Sequence, residues 1–93
     1  MIQSLADVAT ERFYTTGRSS RIPAEIRTRA AKRLTQLNAA TRTEDVRLPP
    51  SNQLERLKGD RKGQWSIRVN ERWRVCFRFD KGDAFDVEIV DYH

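Results

Sequence analysis

Trp65-Ser66-Ile67-Arg68-Val69, Trp73-Arg74-Val75-Cys76-Phe77-Arg78-Phe79 and Phe85-Asp86-Val87-Glu88-Ile89-Val90 follow one another in the second half of the chain. In each run apolar and polar residues alternate, the period of a strand that buries one face. Asn70-Glu71-Arg72 and Asp80-Lys81-Gly82-Asp83 supply the turns between them. Three alternating strands with short turns predict an antiparallel meander. Trp65, Ile67, Trp73, Val75, Phe77, Phe79, Phe85, Val87 and Ile89 fall on the core face. Arg68, Arg74, Cys76 and Arg78 fall on the other. Upstream, Leu54 and Leu57 bracket a further short strand, and Gly59-Asp60-Arg61-Lys62-Gly63 is turn material.

The first half carries the helical period. Met1 to Ser4 is a short extended lead-in. Asp7 caps a helix that runs to Thr16, and Gly17 ends it. Pro23 suits the first turn of a second helix, and Glu25 suits its positive end. Ile26, Ala30, Leu34 and Leu37 form an apolar stripe along that helix to about Ala40. Thr41 to Asn52 is a polar connector in which Pro49-Pro50 bars a regular helix. The expected fold class is α+β: two N-terminal helices packed on a curved antiparallel sheet, one domain over residues 1–93.

The chain has 93 residues and a net charge of +5, with 33% charged and 38% hydrophobic residues. That suffices for one modest core and leaves a basic surface, which suits an anionic partner. No stretch approaches the roughly 20 apolar residues that span a bilayer. Met1 to Asp7 has no basic n-region and no apolar h-region, so a cytoplasmic protein with no membrane partner is expected. One cysteine excludes an internal disulfide. One histidine and one cysteine are too few for a recognisable zinc site, so neither metal nor cofactor is expected.

The chemistry concentrates on the polar face of the meander. Arg68, Arg74 and Arg78 emerge there, and the preceding turn adds Lys58, Arg61 and Lys62. The sequence Asp91-Tyr92-His93 leaves the last strand beside the Arg74 row. Arginine grips phosphate through a bidentate fork and lysine as a point charge. Tyr92 offers a stacking surface, and an imidazole titrates near neutral pH. Each residue also has a plainer reading. Arginines on an outer sheet face are usually solvated, a tail usually frays, and Trp65 and Trp73 are in phase with the core. Cys76 reads as a small filler rather than a nucleophile. The residues alone support a basic α+β domain associated with nucleic acid.

Leu57-Lys58-Gly59-Asp60-Arg61, Gly63-Gln64-Trp65-Ser66-Ile67, Trp73-Arg74-Val75 and Asp91-Tyr92-His93, in that order, resemble the HigB/GraT toxins. These form the "killer protein" branch of the RelE superfamily of type II toxin–antitoxin systems. The resemblance implies a RelE-like, microbial-ribonuclease-like fold. It implies a metal-independent endoribonuclease, an mRNA interferase that cuts mRNA on the ribosome and so inhibits translation. It implies inhibition by a cognate HigA-type helix-turn-helix antitoxin, with operator DNA bound only through that antitoxin. Carried over by position, Lys58 and Arg74 hold the scissile phosphate, Asp91, Tyr92 and His93 form the catalytic tail, and Arg61 is a further phosphate contact. Strongly active HigB members have histidine where this chain has Glu55, as milder GraT-like members do not. Glu55 would then share proton transfer with His93, in either assignment of base and acid, and activity would be modest. The competing expectation is a non-catalytic basic module that binds RNA or the ribosome and blocks translation or ribosome assembly.

Overall fold

The computed structural model describes residues 1–92; His93 lies outside the described residues. The elements are α1 (Val8–Thr16), α2 (Arg27–Ala39), β1 (Glu55–Arg56), β2 (Trp65–Arg68), β3 (Trp73–Asp80) and β4 (Asp83–Asp91). The strands form one antiparallel sheet in the order β1-β2-β3-β4. α1 packs on β4, and α2 lies across β3 and β4. The α+β architecture is the one the alternation predicts.

α1 starts where its cap permits. The Asp7 carboxylate accepts the Thr10 amide at 2.8 Å and also meets Arg21. Gly17 ends the helix with a left-handed backbone, φ 76°, and its amide returns to the Phe13 carbonyl. Burial raises the Asp7 pKa, but the bonds from Thr10 and the charge of Arg21 outweigh it and hold the carboxyl below its ordinary value. The second helix differs from expectation in its opening turn. Ala24–Ile26 is a 3-10 turn behind Pro23, and the α-helix begins at Arg27. The connector contains two further 3-10 turns, Thr43–Val46 and Pro50–Asn52. The buried Asn52 amide pins it to α2 and the preceding loop by donating to the Gln36 side chain and the Val46 carbonyl.

One core lies between the helices and the sheet. Ile26, Ala30, Leu34 and Leu37 from α2 and its lead-in meet Ile67, Val75, Phe77, Val87 and Ile89 from the sheet. Trp65 and Trp73 pack against this cluster from its margin. Each fully buried Ile, Leu, Val or Phe contributes roughly 1.5–3 kcal/mol. A buried hydrogen bond ties α1 to the sheet, with the Ile89 amide donating to the Thr10 hydroxyl at 3.1 Å.

Two features depart from the simple alternation. Cys76 pairs with Glu88 but Arg78 pairs with Phe85, so β4 carries one extra residue between these pairs. Asp86 takes up that residue with φ 52°. The bulge reverses the phase. Ala84 is the buried residue, and Phe85, expected in the core, shares the outer face with Arg78. The second departure is the N-terminal lead-in, which is more than a connector. Ile2 and Leu5 bridge Ala84 and Val87 in parallel, with four backbone hydrogen bonds of 2.8–3.1 Å between residues 1–6 and β4.

Replacing Asp7 by Ala should lower stability by about 1–2 kcal/mol near neutral pH, because it removes the cap. Asp7 titrates lower when folded, so its stabilisation is full above its unfolded pKa and is lost as pH falls through the folded value. Urea unfolding of both proteins should therefore show the gap at pH 7 narrowing as the pH is taken below 3.8.

Candidate active site

The meander register sorts the outer face into rows. Glu55, Ser66, Cys76 and Glu88 form one row through successive pairings, and Arg68, Arg74 and Val90 form the next. This face is not open along its length. Ser66 and Cys76 are fully buried and Arg74 is 9% exposed. The expectation that Arg74 emerges on an open face is thus corrected, while Cys76 is the buried filler it was read as. The cause is the Gln53–Gln64 segment, which folds back over the face. Arg61 stretches across it to donate to Glu88 at 3.3 Å and to Gln64 at 3.0 Å. Leu57 from the same segment is buried yet stands outside the main core cluster.

Arg74 is held as a structural cation. Its Nε donates to the Ser66 hydroxyl at 2.7 Å, and its Nη2 donates to the Gln53 and Ser66 carbonyls. Gln53 has a left-handed backbone, φ 44°, that turns the chain into β1. The Nε and Nη2 donors are committed to the protein, so the expected free bidentate fork is absent and Nη1 is the nitrogen left for a ligand. Nothing in the sequence marks Ser66 for this role, although its alternation with Trp65 and Ile67 places it on this face.

Beside Arg74 lies a cleft of about 270 Å³, lined by Lys58, Asp60, Arg61, Val90, Asp91 and Tyr92. Its two walls come from distant parts of the chain. Lys58 precedes the 3-10 turn Gly59–Arg61, and the other wall is the end of β4. Trp73 pairs with Asp91, and the Tyr92 amide donates to the Arg72 carbonyl, so the β4 end is fixed to the start of β3. Arg72 also forms an ion pair with Asp91 at 2.8 Å. Among the described residues Lys58 is the lining cation without an ion-pair partner, while Arg61 is engaged by Glu88. Tyr92 is exposed at the rim, 42% accessible, which suits stacking on a flat ligand.

The structure therefore gathers Lys58, Arg61, Asp91 and Tyr92, with Arg74 behind them. Glu55 lies on the same face but does not line the cleft; it pairs with Ser66, which binds Arg74. Lys62 lines an adjoining hollow of about 340 Å³ together with Lys58, Arg56 and Leu57. Two expected contacts lie elsewhere. Arg68 lines a different groove, and Arg78 is paired with Asp86 at 3.4 Å. His93 lies outside the described residues. Sequence reading missed Arg72, Glu88 and Ser66, which hold the named residues in place. No helix among the described residues is long and apolar enough to cross a membrane.

A four-stranded meander backed by two helices is a fold this chain shares with solved toxin structures. A chain of the YoeB–YefM complex from Staphylococcus aureus superposes with a TM-score of 0.62 at 15% identity, covering 100% of this chain and 98% of that one. The YoeB/ParE toxin from Agrobacterium tumefaciens gives 0.54 at 18% identity, over 98% of each chain. Sequence is more specific than fold. Residues 3–93 match the family model for the RelE-like toxin of type II toxin–antitoxin system HigB. The chain is 36% identical over 93 residues to "Endoribonuclease HigB" of Proteus vulgaris, covering 100% of both. It is 37% identical over 87 residues to "Toxin HigB-1" of Vibrio cholerae serotype O1, covering 92% of each. The chain belongs to the HigB-like toxin family of type II toxin–antitoxin systems, and an antitoxin is its partner.

Burial raises the Cys76 thiol pKa; Arg61 and Arg74 act against this and Glu88 with it. A buried, protonated thiol is a poor nucleophile. A colorimetric thiol reagent at neutral pH should leave the folded protein unmodified and label Cys76 stoichiometrically in denaturant. Rapid labelling of the native protein would show that the Arg61 cover opens.

Proposed function

We propose that the chain is an endoribonuclease that cleaves mRNA in association with the ribosome and so stops translation and growth. The observation that carries this reading is the cleft that joins Lys58 and Arg61 to Asp91 and Tyr92, with Arg74 paired to the lining residue Val90. Full-length similarity to a relative named as an endoribonuclease supports it. RNA brings its own nucleophile, the 2′-hydroxyl. The protein must stabilise charge on the phosphorane and move two protons, and this chemistry needs no metal. Lys58 supplies a mobile point charge, and Arg74 supplies a fixed one through Nη1. Tyr92 stacks on a base beside the scissile phosphate.

The proton transfers fall to Glu55 and His93. His93 follows Tyr92 directly in the sequence and is the acid to the leaving 5′-oxygen; Glu55 is the base. The reverse assignment uses the same groups. Glu55 stands where the strongly active HigB members resembled by this chain have histidine, which makes the enzyme a modest one. Arg61, held by Glu88, adds positive potential across the cleft. The antitoxin is of the HigA helix-turn-helix type, and operator DNA is engaged through it. The protein acts in the cytoplasm as one domain over residues 1–93.

Mapping of transcript 5′ ends after brief expression tests this. Wild-type protein should create new ends in mRNA. Lys58→Met should reduce them by about 10²–10³-fold, the scale of losing one donor to the transition-state charge. His93→Ala should reduce them by about 10²–10⁴-fold, the scale of losing a proton-transfer group. Growth arrest that survives both changes while RNA stays intact would assign the chain to RNA or ribosome binding instead. Glu55→His should raise both cleavage and toxicity, and unchanged toxicity would remove Glu55 from the account of modest activity.

A further inference from the structure

A second, larger groove lies outside the cleft. It measures about 620 Å³ and is lined by Arg29 and Arg33 from α2 and by Arg68, Asn70, Glu71 and Arg72 from the β2–β3 turn. Four guanidinium groups face one concavity, with Glu71 the one acid among its lining residues. Among the described residues, Arg72 is the one of the four that meets a carboxylate, that of Asp91. Arg33 uses Nε to bind the Arg68 carbonyl at 2.8 Å, and Arg68 uses Nε to bind the Asn70 carbonyl at 3.0 Å. Those bonds fix both side chains and leave their terminal nitrogens without a protein acceptor among the described residues. Arg29 has no acceptor there at all. It sits one helical turn from Arg33, a like-charge pair that works against the helix. Burial, and then the charge of Arg29, lower the Arg33 pKa. This crowding of cations is unfavourable for the empty protein and is relieved by an anion.

The groove and the cleft meet at an ion pair. Arg72 lines the groove, and its ion-pair partner Asp91 lines the cleft. The amide of Tyr92, which also lines the cleft, donates to the Arg72 carbonyl. We infer that this four-arginine groove is a second phosphate subsite, which holds the backbone of single-stranded RNA flanking the nucleotide in the cleft. Rigid, forked guanidiniums without carboxylate partners suit phosphodiester oxygens. The inference rests on the reading of the chain as an RNA-handling protein, and it assigns the groove to backbone contact rather than base recognition. Its consequence is length selectivity: long strands engage both sites and dinucleotides engage the cleft alone.

The test compares wild type with Arg29→Gln/Arg33→Gln and with the charge-keeping Arg29→Lys/Arg33→Lys. Each is first matched for thermal unfolding. Binding is measured across a salt series, with a 2′-O-methyl RNA of about ten nucleotides and with the corresponding 2′-O-methyl dinucleotide. Neither probe has the 2′-hydroxyl needed for cleavage. The glutamine pair should weaken the longer probe several-fold and flatten its log K against log salt slope by about 0.7 for each phosphate no longer neutralised. The lysine pair should keep most of the slope, and dinucleotide binding should be unchanged in both. Unchanged affinity and slope for the longer probe would overturn the subsite, as would equal weakening of both probes. A groove that binds an acidic peptide with the same arginine dependence, and the longer RNA with none, would also overturn it and mark a protein-docking surface. Cleavage of an unmodified RNA is scored separately. Its absence in wild type would remove the endoribonuclease reading, while the salt slope would still decide the groove.

Discussion

The pairing of β3 with β4 is the constraint on which the rest depends. It sets Trp73 opposite Asp91, Arg74 opposite Val90 and Cys76 opposite Glu88. Those three pairings put the end of β4 beside the buried arginine. They also put Glu88 where Arg61 can reach across the sheet. A slip of one residue would turn every side chain of β4 to the opposite face. Val87 and Ile89 would leave the core and the cleft would lose a wall. Burial of the apolar face therefore fixes the register, and the register builds the site.

The arginines of the outer face illustrate three fates of the same residue type. Arg74 is buried and bonded to Ser66 and to backbone carbonyls, so its position is fixed. Arg61 and Arg78 are compensated by Glu88 and Asp86. Arg68 is oriented by backbone and lines a groove, with no carboxylate partner among the described residues. A buried cation whose acceptors among the described residues are all neutral carries a desolvation cost.

The fold was legible in the alternation from Trp65 to Ile89 and in the stripe from Ile26 to Leu37, because solvent exclusion writes its period directly into the sequence. The cap at Asp7 and the stop at Gly17 were legible for the same local reason. The phase of Phe85 was not. A single residue inserted at Asp86 reverses the face, and nothing in an Asp between two apolar residues announces a bulge. The docking of residues 1–6 on β4 was also hidden, since it is carried by backbone hydrogen bonds that any sequence can make. At the site, Lys58, Arg61, Asp91 and Tyr92 do converge as expected, but the resemblance rather than the spacing selects them. Arg68 and Arg78 follow from face alone. Face does not tell which cation meets a carboxylate, and Asp86 and the groove beside α2 separate those two from the cleft.

The parallel contact of the N-terminal lead-in with β4 has a consequence for how the protein is made. The Ser4 side chain accepts the amide of a residue 82 positions further on. A ribosome delivers residues 84–92 after every residue they pair with, so the first segment must wait, unpaired, for the last. β3 lacks its outer neighbour over the same interval, and one wall of the cleft does not yet exist. Contacts of such long sequence separation form late because closing the loop costs entropy before any contact repays it. A nascent chain thus has no complete cleft until the end of β4 emerges, and a prematurely terminated one never completes it.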